Sequence, residues 1–127
     1  MIIPVLKWLH SPDIDLDTYY PEDPGYFGFL LQAFFGIEGE KGKDSFDILV
    51  CTPRWLQSND LWRNGGILIG RHYLLMETYS IDQIRRFIND YAKNCAGKTW
   101  NEVAIKLGRL GKWEYEDYYK LPSKLES

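Results

Sequence analysis

Residues 27–37 read FGFLLQAFFGI, apolar on both faces of any strand drawn through them and without a charge. Such a run predicts a central strand with other elements around it, although the run alone also permits a buried helix. The next patterned stretch narrows the choice. In SFDILVCT (45–52), Phe46, Ile48 and Val50 fall on one face and Asp47, Leu49 and Cys51 on the other, the period of a strand. The polar, Gly-containing connection EGEKGKD (38–44) lies between them, so the pair predicts a hairpin. Residues 2–9, with Val5, Leu6 and Trp8, predict a strand before it, and ILIGRHYLLMET (67–78) predicts another long strand after it.

Helix signals are local and explicit. Thr52-Pro53 places an N-cap hydroxyl before a proline suited to the first helical position. The short helix it opens is expected to run to about Leu61, before Asn64-Gly65-Gly66 breaks the chain. Ser80-x-x-Gln83 and Thr99-x-x-Glu102 are capping boxes, in which each side chain satisfies a backbone N–H that the first helical turn leaves open. The first of these helices places Ile81, Ile84, Phe87, Ile88, Tyr91 and Cys95 on one stripe, and the second Trp100, Val103, Ala104 and Leu107. Gly97 fits a stop between them. The tail GKWEYEDYY (111–119) alternates aromatic and acidic residues and predicts a last edge strand or an extended lid. The order argues for an α+β fold: a mainly antiparallel sheet of four to five strands with two amphipathic C-terminal helices packed on one face. A chain of 127 residues predicts one domain over 1–127, large enough to bury roughly two-thirds of its unfolded surface.

Charge is unevenly placed. The net charge is −3, yet the first 24 residues hold one lysine and five acids, while the remaining 103 hold 14 bases and 13 acids. The local excess sits in HSPDIDLDTYYPEDPGYFGF (10–29), with Asp13, Asp15, Asp17, Glu22 and Asp23, three tyrosines, three prolines and no lysine or arginine. An ordered, acidic, aromatic surface loop suits a basic partner. The balance argues against nucleic-acid binding, which calls for a basic stripe. Two cysteines, Cys51 and Cys95, are too few for a disulfide framework or zinc cluster and, as buried free thiols, fit a reducing compartment. The start, MIIPVLKWLHSPD, lacks the charged segment and cleavage site of a signal peptide, and no apolar run approaches a membrane span. A soluble, cytoplasmic protein with no membrane partner is expected.

Catalytic patterns are weak. An EF-hand loop opening at Asp13 would need glycine at position 18 and glutamate at 24, where this chain has Thr18 and Pro24; no metal and no cofactor is expected. His10 or His72 with a carboxylate could serve a small hydrolase. No nucleophile elbow, HExxH, CxxC or phosphate-binding loop is present. Arg71-His72 falls in mid-strand of 67–78, which sends one side chain to each face; His72 reads as a structural histidine, and Arg71 as paired with a carboxylate inside the fold. Cys51 has no evident base to activate it. A peptide-binding adaptor, taking a partner strand along an open sheet edge, is a third reading.

Several stretches together resemble a known family: HSPDIDL (10–16), FGFLLQ (27–32), SFD (45–47), VCTPRWL (50–56), GRHYL (70–74), TWNE (99–102) and WEYEDY (113–118). Each is weak alone; seven in this order, over about residues 5–119, resemble the immunity protein 8 family of bacterial polymorphic toxin systems of the contact-dependent inhibition type. The resemblance implies a small α+β cytoplasmic protein, not an enzyme, that neutralises a cognate toxin C-terminal domain by direct binding. It carries over no catalytic residue, and Gln57 to Gly66, with Asp60, Trp62 and Arg63, fit the pattern least. A basic nuclease is the toxin class that an acidic inhibitor suits, since it could mimic the phosphate backbone. Asp15, Asp17, Tyr19, Tyr20, Glu22 and Asp23 of the loop, and Glu114, Glu116 and Asp117 of the tail, are the expected partner-binding residues. His10 and Pro12 are expected to serve the fold.

Overall fold

The computed structural model describes residues 1–59 and 65–116. Its elements are β1 (Pro4–His10), β2 (Gly28–Ile37), β3 (Lys43–Cys51), α1 (Pro53–Ser58), β4 (Tyr73–Leu75), α2 (Ile81–Lys93), α3 (Trp100–Leu107) and β5 (Lys112–Trp113). The strands form one five-stranded sheet in the order β1-β2-β3-β4, with β5 also paired to β3. The architecture is α+β, and every pairing but one is antiparallel.

The β2–β3 hairpin is the centre. Its register sets Leu31 opposite Ile48, Ala33 opposite Phe46 and Phe29 opposite Val50, and facing residues of an antiparallel pair share a face. All six are buried. Ile84 and Ile88 of α2 and Val103, Ala104 and Leu107 of α3 belong to the same buried cluster. Each large side chain taken fully out of water there contributes about 1.5–3 kcal/mol. The turn between the strands passes through Gly39 at φ +82°, where glycine avoids the clash of a Cβ.

The opposite face of the sheet is less covered. Leu30, Gln32 and Phe34 of β2 are only partly buried, and Trp8 of β1 is 51% exposed. Trp8 reaches this face through an irregularity. Leu6 pairs with Phe35 but Trp8 pairs with Phe34, so Lys7 is an extra residue on β1. In regular pairing Leu6 and Trp8 would point the same way; the bulge turns Leu6 inward and Trp8 and His10 outward.

Helix starts follow the sequence closely. Thr52 Oγ1 accepts from Trp55 N, Ser80 Oγ from Gln83 N and Thr99 Oγ1 from Glu102 N. Helix α2 buries Ile84, Ile88 and Ala92, while Phe87, expected on that stripe, is 50% exposed. Gly28 allows α1 to lie against the sheet: a Cβ there would fall 2.3 Å from the Trp55 ring.

Several expectations need correction. The strand expected over 67–78 shrinks to Tyr73–Leu75, parallel to β3. Ile67 and Ile69 are 77% and 82% exposed, and the chain enters β4 through left-handed backbone at Gly65, Gly66 and His72, which no continuous strand accommodates. Arg71 and His72 therefore lie in a turn rather than in mid-strand. Helix α1 ends at Ser58; Leu61, where it was expected to end, lies outside the described residues. Gly97 does not stop a helix, since α2 ends at Lys93. It forms a bridge with Ile2, giving and receiving backbone hydrogen bonds of 3.0 and 2.7 Å. The tail supplies the short edge strand β5, with Trp113 opposite Phe46.

Candidate partner-binding surface

The loop from Ser11 to Phe27 crosses one end of the sheet and is tied down along its length. Ser11 is buried, and its hydroxyl accepts from Asp13 N at 3.1 Å. Asp13 Oδ2 accepts from Leu30 N at 2.8 Å, just past the last β1–β2 pair, His10–Gln32. Asp15 builds the next turn: its carbonyl accepts from Tyr19 N at 2.8 Å, and its Oδ1 accepts from Asp17 N at 3.0 Å. Asp and Asn hold turns in this way because their short side chains reach backbone two residues on.

The second half of the loop is held by α1 and by the segment before α2. Asp23 Oδ1 accepts from Gly25 N at 2.8 Å, and Asp23 Oδ2 pairs with Arg54 Nη2 at 2.7 Å. The Arg54 guanidinium, with the Gly25 N–H, holds this carboxyl below its usual range. Both partners are more than half exposed, so screening leaves the pair only a weak stabiliser. Arg54 also lies 5.5 Å from the Tyr26 ring centroid, and Tyr26 Oη meets Ser58 Oγ at 3.0 Å. Tyr79 N donates to Pro24 O at 2.9 Å, and buried Thr52 Oγ1 accepts from Phe27 N at 3.2 Å. The Tyr79 ring meets those of Tyr19, Phe27 and Tyr20 edge-on, at 5.2, 5.1 and 5.8 Å. Tyr19 is thus half-buried packing, while Tyr20 stands 67% exposed.

The carboxylates divide accordingly. Asp13, Asp15 and Asp23 hold the loop. Among the described residues the Asp17 and Glu22 carboxylates make no hydrogen bond or ion pair, and both residues are exposed. Beside Asp17 runs an open groove of about 540 Å³, lined by Trp8, His10, Pro12, Asp13, Asp15 and Asp17 among others. The Trp8 ring stacks on His10 at 5.2 Å and leans on Phe34 at 5.0 Å. Sequence reading passed over this aromatic stack. Its one visible signal was the i, i+2 spacing of Trp8 and His10 on a strand; the bulge that exposes them has no sequence mark.

The tail differs. Glu114 Oε1 accepts from Ser45 N at 2.7 Å, and Glu114 N donates to Ser45 O at 3.1 Å, carrying the β3–β5 pairing one step further. Glu116 pairs with Arg71 at 3.3 Å; a carboxylate partner inside the fold was expected for Arg71, and the pair instead lies at the surface, the Arg71 side chain being 62% exposed. The Trp113 ring stacks on Phe46. Asp117 lies outside the described residues. Among the described residues the two acidic stretches do not meet: the loop closes on Thr52 just past one end of β3 and Glu114 on Ser45 near the other, roughly 23 Å apart at strand spacing.

Each histidine makes a contact within the fold. His72 Nε2 lies 2.7 Å from the Gly108 carbonyl, which makes that nitrogen the donor and ties the turn before β4 to the end of α3. His10 is exposed and stacked on Trp8. Cys51 and Cys95 are buried free thiols; burial pushes the Cys51 thiol up to about 11, which keeps it protonated and unreactive near neutrality. Among the described residues no group of three or more His, Cys, Asp or Glu is placed to hold a metal ion. Nor is any helix among them long and apolar enough to cross a membrane.

A family model described as Immunity protein 8 matches residues 4–118. No curated protein matches the chain, and no solved structure does.

Proposed function

The chain belongs to the immunity protein 8 family, and on that premise we propose that it binds a cognate bacterial toxin domain and blocks it by occlusion. The observation that carries this reading is the hydrogen-bonded frame of the acidic loop. Three carboxylates hold its backbone, while Asp17, Glu22 and the 67% exposed Tyr20 remain turned to solvent. An inhibitor gains from such a surface twice. Unpaired carboxylates raise the encounter rate with a basic protein, and aromatic side chains held in place lose little entropy on binding.

Asp15, Asp17, Tyr20 and Glu22 are the centre of the proposed interface, with Tyr19 and Asp23 supporting them from within the loop. Glu114, Glu116 and Asp117 are its more distant candidates. The charge suits a basic toxin, of which a nuclease is the natural example because it must attract phosphate. The protein acts in the cytoplasm, where its thiols stay reduced, and by binding rather than turnover.

Co-expression with the toxin domain encoded immediately upstream tests the reading. The expected result is protection of the cell and a complex that survives gel filtration. If that toxin still kills and no complex forms, the reading fails.

A further inference from the structure

On the half-covered face of the sheet, we infer that the stack of Trp8 on His10 and Phe34 is the anchoring seat for a cationic side chain, arginine or lysine, from a basic segment of the toxin. The inference rests on the binding role proposed above and names the chemistry of its contact.

Four observations converge on it. Trp8 is a large aromatic residue that the core does not use: the bulge at Lys7 turns it outward, and it remains 51% exposed. The indole is nonetheless packed, against His10 at 5.2 Å and Phe34 at 5.0 Å, so docking on it orders little that is not already ordered. The adjoining groove of about 540 Å³ is lined by Asp13, Asp15 and Asp17, and the segment from Trp8 to Asp17 contains no lysine or arginine. The bonds that hold the loop use Asp13 Oδ2 and Asp15 Oδ1; the second oxygen of each, and both oxygens of Asp17, carry no bond among the described residues.

An aromatic face beside unneutralised carboxylates is complementary to a cation on a carbon stem. The ring attracts the charge through its quadrupole, and the carboxylates accept its N–H donors. Tryptophan is also the residue type most often found to dominate an interface. An apolar segment would leave the carboxylates desolvated without partners, and an acidic one would be repelled. The charge around the ring therefore selects the basic occupant.

The test measures binding of the upstream-encoded toxin domain to the whole protein and to variants whose unfolding midpoints are read alongside. Trp8→Ala is expected to weaken binding by about 30-fold, mainly through faster dissociation. Trp8→Phe, which keeps an aromatic face, should stay within about fivefold of the parent. Trp8→Leu, which keeps apolar area without the ring, should fall with Trp8→Ala. Trp8→Arg guards against a folding defect: its stem still covers Phe34, but its charge repels the occupant, and binding should drop further.

Wild-type affinity in folded Trp8→Ala and Trp8→Arg, with protection retained, would overturn the seat while leaving the binding role intact. Equal binding by the Leu and Phe variants would overturn its cationic character. A concentration-dependent dimer abolished by Trp8→Ala would assign the face to a second copy of the chain, against the proposal. Failure of the parent protein to bind or protect would remove the binding role and this contact with it.

Discussion

The acidic loop and the acidic tail look alike in sequence and behave differently in the fold. Both interleave carboxylates with aromatic residues. In the tail, Glu114 extends the sheet, Glu116 pairs with Arg71 and Trp113 stacks on Phe46. At the head of this region the Trp100 and Trp113 indoles both donate to Asp44 Oδ2, at 2.7 and 3.0 Å, so one carboxylate ties β3, α3 and β5 together. In the loop, Asp13, Asp15 and Asp23 bond backbone within or beside the loop itself, Asp23 also pairs with Arg54, and Asp17 and Glu22 bond nothing among the described residues. Acidity alone therefore does not mark a binding surface. In the interface proposed above, the mark is the carboxylate left over once the fold has been held.

That contrast can be broken, most forcefully at Asp44. Asp44→Ala strands two indole N–H groups, and hydrogen bonds to a charged acceptor are worth about 1.5–3 kcal/mol each. The expected loss is about 3 kcal/mol in urea unfolding, with toxin affinity unchanged for the molecules that remain folded. A drop below about 1 kcal/mol would show that the tail is held by stacking on Phe46 instead.

Asp13→Ala and Glu114→Ala come next. Each removes the acceptor of one backbone N–H, Leu30 and Ser45 respectively, at an expected cost of about 1 kcal/mol. If loop and tail differ as described, Asp13→Ala also speeds amide exchange from Ser11 to Phe27, whereas Glu114→Ala affects only β5 and the start of β3. Uniform exchange changes in both variants would erase the distinction.

A smaller effect follows pH. Arg54 depresses the Asp23 carboxyl, so the folded state binds its proton less readily than the unfolded chain does. Stability from this group is fully present above the ordinary carboxylate pKa of about 3.9 and is lost as pH falls through the lower folded value. Acid unfolding of Asp23→Asn should be shallower than that of the parent; identical acid limbs would show the pair to be idle in solution.

The smallest stability effect is expected at two carboxylates of the proposed interface. Asp17→Lys with Glu22→Lys should move unfolding by less than about 0.5 kcal/mol, yet slow association with the toxin domain and flatten its salt dependence. A destabilised double variant would mean that these two carboxylates also serve the fold.

Local signals in the sequence were the ones that could be read. The capping hydroxyls of Thr52, Ser80 and Thr99 act within three residues, and the strand period of 45–52 is set by the chain itself. The long strand expected over 67–78 failed because Ile67 and Ile69 only resemble buried residues; left-handed backbone at Gly65, Gly66 and His72 keeps them outside the sheet. For the surface, the loop's existence was legible, but the division of its acids was not. Whether Asp13 is free depends on Leu30, and whether Glu114 is free depends on Ser45, and those neighbours are made by folding. The exposed indole of Trp8 was hidden for a related reason: its direction is set by a one-residue mismatch against β2 that exists only once the strands pair.

That mismatch has a further consequence for how the molecule behaves in a crowded solution. β1 is the outermost strand on its side of the sheet, and a straight outer strand presents a row of unpaired N–H and C=O groups that any extended chain, including a sibling, can adopt as a template. The kink at Lys7 breaks that row, and its ammonium reaches the Glu40 carbonyl across the hairpin. Deleting Lys7 would preserve which side chains face which way, since it removes only the extra residue. It would also straighten the rim and leave the protein prone to growing into fibres of itself.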